Sequence, residues 1–378
     1  MRKNKYIKMF INEDYFEFPD GFLKSKITAH KFNYIKNKIN IMHPFLFVCN
    51  KTTLYDKALI SNTLKGHFVF LKDSVIQKLY DGTLSSDERK QILSSFARLK
   101  EALISVVVFP EKNITIYGST DKVSETVTQF LHETKYNIKF LSLVGTYFAA
   151  PIWAKQIRRC ETRFHNQFTF KYASRDGLTS EEICEAFNNY MPSSATIYSH
   201  KYNPYIYSNT KAEGLESIFY ACPNCKSLFS IYSEFNCIKC KNCGMAVECS
   251  TNGNFLLSSN ITDFDSFAEF QYDVLKNQFF DDKKLMIKYP NIHVLKKLEN
   301  ENKETITVAS LEVYCNHFKL NFLDGTETFK IKDVKETIYH SGNILEIKLN
   351  NKKSFMIRGD NKENFLIITD LKRVYDEI

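Results

Sequence analysis

The apolar and polar positions of the chain fall into two regimes. In the first, compact apolar runs alternate with stretches of helical period. Phe45–Cys49 and residues 67–71, 105–109 and 138–144 are short runs rich in Phe, Val, Ile and Leu, which predicts buried strands. Thr52 and Thr53 predict the N-cap of a helix beginning near Leu54. Residues 73–80, 86–104 and 120–134 carry apolar positions at helical spacing, as in Ile92, Leu93, Phe96, Leu99 and Leu103 or Val123, Val127, Phe130 and Leu131. Residues 163–172 alternate like a strand, and Thr179-Ser-Glu-Glu182 predicts a boxed helix start. This alternation predicts an α/β domain with a largely parallel sheet over residues 1–200, entered through a turn at Pro19-Asp-Gly21. In the second regime, from about 288, the period shortens to two. Residues 305–309, 318–322, 343–348 and 354–358 read as short strands, with turns at Leu323-Asp-Gly325 and Ser341-Gly342. A final helix over 362–375 carries Phe365, Ile368, Leu371 and Val374 on one face.

Between the two regimes lies a cysteine cluster. A basic, aromatic linker at 200–211 leads into residues 212–255, and a helical linker over 256–287 follows, with Phe264, Phe267, Phe270, Val274 and Leu275 as its apolar stripe. Cys222-Pro-Asn-Cys225 and Cys240-Lys-Asn-Cys243-Gly244 are two Cys-x2-Cys knuckles, fourteen residues apart. Each knuckle places two thiolates on one tight turn, and the pair completes a tetrahedral four-sulfur zinc site. Cys237, three residues before Cys240, offers a competing second pair, and Gly244 favours Cys240 with Cys243. Residues 228–232 read as a strand of the ribbon. Four cysteines leave no position for water, so the zinc is expected to be structural. Lys226 and Lys241 would temper the charge of the centre.

At 378 residues the chain has room for two or three domains. With 44% hydrophobic and 25% charged residues its composition is that of a globular protein, without repeats or low-complexity tracts. No apolar run approaches the ~20 residues of a membrane helix, and the basic start Met1-Arg-Lys-Asn-Lys lacks the apolar stretch of a signal peptide. The expected location is cytoplasmic, peripheral at the inner face of a membrane. The net charge of +8 suits an anionic partner, a membrane surface or nucleic acid.

Candidate chemistry gathers at the strand-to-helix turn Asn50-Lys51-Thr-Thr-Leu-Tyr-Asp56, at the edge of the expected sheet where α/β sites are built. Taken alone, Lys51 and Asp56 would be a solvated ion pair. They are followed by Ser105-Val-Val-Val-Phe-Pro-Glu111-Lys112 and then by Ile138-Lys-Phe-Leu-Ser-Leu-Val-Gly145-Thr-Tyr147 with Pro151-Ile-Trp153. These blocks, in this order over residues 35–195, resemble the lysophosphatidate (glycerolipid) acyltransferase family, with its Asn-His-x4-Asp, Phe-Pro-Glu-Gly and Gly-x-Tyr segments. The β-rich end, in turn, resembles a pleckstrin-homology-like module.

The acyltransferase resemblance implies acyl transfer from acyl-CoA or acyl-carrier protein to a lysophospholipid of a membrane. It assigns Lys51 and Asp56 to the catalytic pair, and Lys72, Glu111 and Lys112 to substrate binding. The chain departs from the pattern in three places. Lys51 stands where the family has its histidine base, Lys112 where it has glycine, and Ile114 where it has arginine. An ordinary lysine is neutral in roughly one molecule in two thousand at pH 7, and a nearby carboxylate lowers that fraction. His43 and His67 sit at the starts of their strands, at the end away from the turn. Two further readings therefore stand beside acyl transfer: a catalytically inactive lipid-binding or regulatory protein, and a zinc-ribbon protein that binds nucleic acid, the last disfavoured because zinc ribbons also serve as plain structural staples.

Overall fold

The computed structural model describes residues 11–19, 32–34, 39–191, 194–255, 261–278, 285–297, 305–340, 344–351, 353–359 and 363–377. The basic start at 1–10, Asp20 and Gly21 of the first turn, the Ser341-Gly342 turn and the first position of the last helix lie outside them. The chain divides into two units, Met1–Pro151 with Ile157–Tyr207, and Ile152–Gln156 with Ser208–Ile378.

The first unit contains strands β1 (Phe16–Glu17), β2 (Phe32–Tyr34), β3 (Ile39–Asn40), β4 (Phe45–Cys49), β5 (Leu64–Lys65), β6 (Phe68–Leu71), β7 (Ser105–Val108), β8 (Asn137–Val144), β9 (Arg159–Phe170) and β10 (Ile206–Tyr207). Its longer helices are α1 (Asp56–Thr63), α2 (Asp73–Tyr80), α3 (Ser86–Glu101), α4 (Glu125–Glu133), α5 (Ser180–Tyr190) and α6 (Ala195–Tyr202), with single helical turns at Thr146–Ala149 and Tyr172–Arg175. The main sheet runs β1-β6-β7-β4-β8-β9-β10. Strands β6, β7, β4 and β8 are parallel, β1, β9 and β10 run antiparallel to β6, β8 and β9, and β2 joins the sheet parallel to β9. Both faces of the parallel core are covered. Leu46, Val48, Val106 and Val108 pack with Phe96 and Phe130 on one side, and Phe47, Cys49, Phe70 and Val107 form a second cluster on the other. Burial on both faces is why these strands read as unbroken apolar runs.

Helix starts follow the capping chemistry. Ser85 with Glu88 and Thr179 with Glu182 form complete capping boxes on α3 and α5. The helix after β4 starts at Asp56 rather than near Leu54, because Thr52 and Thr53 direct their N–H groups to the Asp56 carboxylate. Helix α4 starts at Glu125 rather than 120, because the Ser124 hydroxyl accepts the Val127 N–H and sets the cap there. Residues 200–211, expected as linker, contain the end of α6 and the edge strand β10, which pairs with β9.

The second unit opens with a three-stranded antiparallel ribbon, β11 (Ile231–Glu234), β12 (Cys237–Cys240) and β13 (Ala246–Glu248). The strand expected at 228–232 begins at Ile231, since Lys226 and Phe229 adopt positive φ (59° and 56°) and bend the chain before it. Helix α7 (Phe264–Gln278) follows. Then come β14 (Leu285–Lys297), β15 (Thr305–Tyr314), β16 (His317–Phe322), β17 (Gly325–Lys330), β18 (Val334–His340), β19 (Ile344–Leu349), β20 (Ser354–Arg358) and the closing helix α8 (Leu366–Glu377). The sheet is antiparallel throughout, in the order β17-β16-β15-β14-β20-β19-β18. Tyr220 and Ala221, just before the first cysteine knuckle, belong to the same apolar core as Leu311, Ile347, Phe365 and Leu371. Trp153 also belongs to this unit, stacked on Phe264 with ring centroids 5.6 Å apart. Gly214 (φ 101°) permits that approach, because a Cβ there would lie 2.0 Å from the Trp153 carbonyl oxygen.

Candidate functional site

The turn from β4 to α1 lies at the C-terminal edge of the parallel strands. Asn50 anchors it: its Nδ2 donates to the Leu143 carbonyl at 2.9 Å, and its Oδ1 accepts the Leu143 N–H at 2.7 Å. Both contacts reach β8, so the turn is fixed to the neighbouring strand. The Thr52 hydroxyl lies 2.6 Å from that of Thr146, in the turn that Gly145 (φ 81°) opens after β8.

Asp56 is 1% exposed and faces back into the turn. Its Oδ2 accepts the N–H groups of Thr52 and Thr53 at 2.6 and 2.8 Å, and its Oδ1 accepts the Thr53 hydroxyl at 2.7 Å. Burial raises its carboxyl to about 6 against the pull of these hydrogen bonds. Lys51 turns the other way. Its Nζ donates to Asp73 Oδ2 at 2.7 Å, and Lys57 Nζ holds Asp73 Oδ1 at 2.9 Å. Lys57 also reaches Glu17 at 3.0 Å. Burial works against the Asp73 carboxylate, but the two ammonium groups hold it below its ordinary range.

Glu111 lies beneath the turn, 2% exposed. Its Oε1 accepts the Lys51 N–H at 3.2 Å, while its Oε2 is buried with no hydrogen-bond partner. Burial lifts this carboxyl to about 8, against the Lys51 N–H and charge. It is therefore largely protonated at neutral pH. Lys112 pairs with Asp81 at 2.9 Å. Lys72 occupies the N-cap position of α2 in extended conformation, and its N–H donates to the Tyr15 carbonyl at 2.9 Å.

The structure thus brings Lys51, Asp56 and Glu111 to one turn. Lys51 and Asp56 share that turn, but Lys51 takes Asp73 as its carboxylate. Asp73 is the residue that sequence reasoning missed, with Lys57 and Glu17 as its extension. The available signal was an aspartate in the first turn of a helix that starts straight after a parallel strand, which places it on the same sheet edge. His43 and His67 are exposed residues preceding β4 and β6, at the opposite edge.

The four knuckle cysteines form a second centre. Cys222 Sγ lies 3.7 Å from Cys243 Sγ, Cys225 Sγ lies 3.8 Å from Cys240 Sγ, and all four sulfurs lie within 4.8 Å of one another. Thiolates ~2.3 Å from a tetrahedral zinc are ~3.8 Å apart, so the donor set fits that ion. Cys237 sits on β12 opposite Glu248 and is outside the cluster. Gly244 has φ 71°, as the turn after the knuckle requires. Burial works against the Cys240 thiolate, but the Ser230 hydroxyl and the N–H groups of Cys243 and Asn242 bring it down to about 6. The Asn242 side chain, 3.5 Å from Cys225 Sγ, lowers that thiol as well. A zinc ion would be held by these thiolates alone, as a staple.

Fold and sites together define a two-unit protein: an α/β unit with a polar strand-to-helix turn, and a second unit in which a ribbon with four cysteines placed to hold a metal ion precedes an antiparallel β-rich sheet. Among the described residues, no helix is long and apolar enough to cross a membrane.

No known family profile matches the sequence, and no curated protein matches it. Among solved structures, the chain is similar to the 1-acyl-sn-glycerophosphate acyltransferase PlsC of Thermotoga maritima, at 14% identity over 52% of this chain and 79% of that one, with a TM-score of 0.33. It is also similar to the inner membrane complex sub-compartment protein ISP3 of Toxoplasma gondii, at 11% identity over 28% of this chain and 83% of that one, with a TM-score of 0.21. The N-terminal PH domain of human ARAP2 matches at 7% identity over 24% of this chain and 76% of that one, with a TM-score of 0.18. At these scores none of them bears on function.

Proposed function

We propose that the chain is a glycerolipid-acyltransferase-type protein whose first unit engages a lysophospholipid without transferring an acyl chain to it, a lipid-binding or regulatory role. One observation supports this above the others: the residue in the position of the base, Lys51, is a charged partner of Asp73 at 2.7 Å, and the Asp56 carboxylate is committed to Thr52 and Thr53. Acyl transfer to a hydroxyl needs a group able to take its proton, and loss of a general base typically costs ~10²–10⁴ in rate. An ammonium held by a carboxylate cannot take it. The lipid class comes from the order of the sequence blocks, and zinc in the ribbon has a purely structural part. If the first unit does transfer, the donor is acyl-CoA or acyl-carrier protein.

The test compares acyl transfer from labelled acyl-CoA and acyl-carrier protein to lysophosphatidic acid, alongside binding of that lipid, in the native chain, Lys51→His and Asp56→Ala. The expected result is binding without turnover in the native chain, with turnover gained in Lys51→His. Native turnover that disappears in Asp56→Ala would mean an active enzyme with an unusual base, and would overturn the proposal.

A further inference from the structure

The edge of the main sheet carries a patch that the site does not use. On β9, Arg159, Glu161 and Arg163 alternate with buried Cys160 and Thr162, so the three charged residues share one outward face. Tyr207 of β10 lies directly across from Arg159, with the guanidinium 5.2 Å from its ring centroid. Tyr205 shares that face, its ring 4.5 Å from Tyr207, while Ile206 between them is buried. Arg163 lies 5.2 Å and Lys201 5.3 Å from the ring of Tyr202. Ile197, one helical turn before Lys201 on α6, is 62% exposed. Tyr205 and Tyr207 are 48% and 47% exposed.

Exposed tyrosines ringed by arginine and lysine, with an aliphatic side chain among them, have the composition of a membrane-interface belt. Aromatic rings sit at headgroup depth while the basic groups meet lipid phosphates. Three basic side chains against the one carboxylate of Glu161 make the patch complementary to an anionic surface.

Its position adds a second argument. Val144 at the end of β8 pairs with Arg163, so residues 159–162 continue β9 past the edge at which the site turn lies. Asn50 ties that turn to Leu143 of the same β8. Patch and turn therefore open at one end of the sheet, about two strand spacings (~10 Å) apart at β9 and three (~15 Å) at β10.

We propose that Arg159, Arg163, Lys201, Tyr205, Tyr207 and Ile197 dock the first unit on an anionic phospholipid bilayer, bringing the Lys51 turn to the lipid surface. The docking deepens the lipid-directed reading above and rests on it for its purpose, but not for its measurement.

The test is co-sedimentation of the full chain with phosphatidylcholine vesicles, with and without phosphatidylglycerol. Each basic side chain near an anionic surface raises partitioning about fivefold, so the triple variant Arg159→Gln, Arg163→Gln, Lys201→Gln should lose roughly a hundredfold. A control of equal charge loss elsewhere on the unit, Lys90→Gln, Lys122→Gln, Lys171→Gln, should bind several-fold better than the patch variant. In a separate variant, Tyr205→Trp, the introduced tryptophan should shift its emission to the blue on anionic vesicles, against the buried native Trp153. Lysophosphatidic acid binding in solution, measured on the same proteins, should survive the patch substitutions. Equal losses in patch and control variants, or no shift in emission, would overturn the docking surface. A native chain that ignores anionic vesicles yet binds lysophosphatidic acid would overturn the docking and leave the lipid reading standing. A salt-sensitive RNA shift abolished by the patch variant, without vesicle binding, would assign the patch to nucleic acid instead and likewise overturn it.

Discussion

Glu111 makes a quantitative demand on the chain. It is 2% exposed and has one oxygen without a partner. Burial raises its carboxyl from an ordinary 4.5 to about 8. A group whose pKa is raised by folding keeps its proton in the native state while the unfolded chain loses it. Its stabilising contribution is complete below pH 4.5 and is lost as the pH climbs to about 8. At ~1.4 kcal/mol per pH unit, this amounts to about 5 kcal/mol. Asp56, raised from 3.8 to about 6, adds about 3 kcal/mol with the same sign between those values. The chain should therefore be several kcal/mol more stable at pH 5 than at pH 8.5. Glu111→Gln keeps an oxygen to accept the Lys51 N–H and removes the ionisation. It should leave only the Asp56 slope, which ends near pH 6, flatten the pH dependence above that, and stabilise the chain at pH 8.5 relative to the native protein. The assay is urea unfolding at a series of pH values with a constant m-value. A stability that rises with pH over this range, or a Glu111→Gln slope equal to the native one, would refute the protonated, buried carboxyl.

Three further outcomes follow from the ion pairs and the cysteines. Asp73→Asn leaves Lys51 and Lys57, only 14% and 15% exposed, without their shared carboxylate. It should cost about 1–3 kcal/mol, much of it regained by adding Lys51→Met, as a double-mutant cycle would register. Purified protein is expected to contain about one zinc per chain, measured by elemental analysis, and Cys222→Ser should abolish it. Because Tyr220 and Ala221 sit in the core of the β-rich sheet, chelation should lower the melting temperature. Unchanged melting in a strong chelator would sink the staple role.

Much of the architecture was written in local signals. The strand Phe45–Cys49 and the box at Thr179 depend on neighbours in sequence, so period and capping chemistry locate them. Strand β18 escaped detection because Val334, Ile338 and Tyr339 break strict alternation within Val334–His340. Strand β10 escaped because two residues in a polar stretch carry no period, and only pairing with Arg159 and Cys160 makes them a strand. Lys51 and Asp56 were legible as neighbours of one turn, between a strand and a helix start, while Glu111 was tied to them only through the resemblance of its block to the acyltransferase family. The pairing of Lys51 with Asp73 was not, because it spans 22 positions and depends on how α2 leaves the sheet.

That pairing accounts for how the turn tolerates lysine. A neutral imidazole at position 51 would need a carboxylate to hold its tautomer and little else. An ammonium in the same place, 14% exposed, needs a full negative charge within reach. Asp56 is already occupied by the N–H groups and hydroxyls of Thr52 and Thr53, and burial pushes the Glu111 carboxyl up to about 8. Asp73 remains, and Lys57 and Glu17 complete a chain of alternating charges away from the turn. The charge of both lysines is thereby neutralised at the rim. Glu111 Oε2 is left beneath it as a buried polar atom with no hydrogen-bond partner. Any ligand drawn to this edge meets paired lysines and a protonated acid. On the lipid-binding proposal, a phosphate would take the place of the Asp73 carboxylate around Lys51 and Lys57.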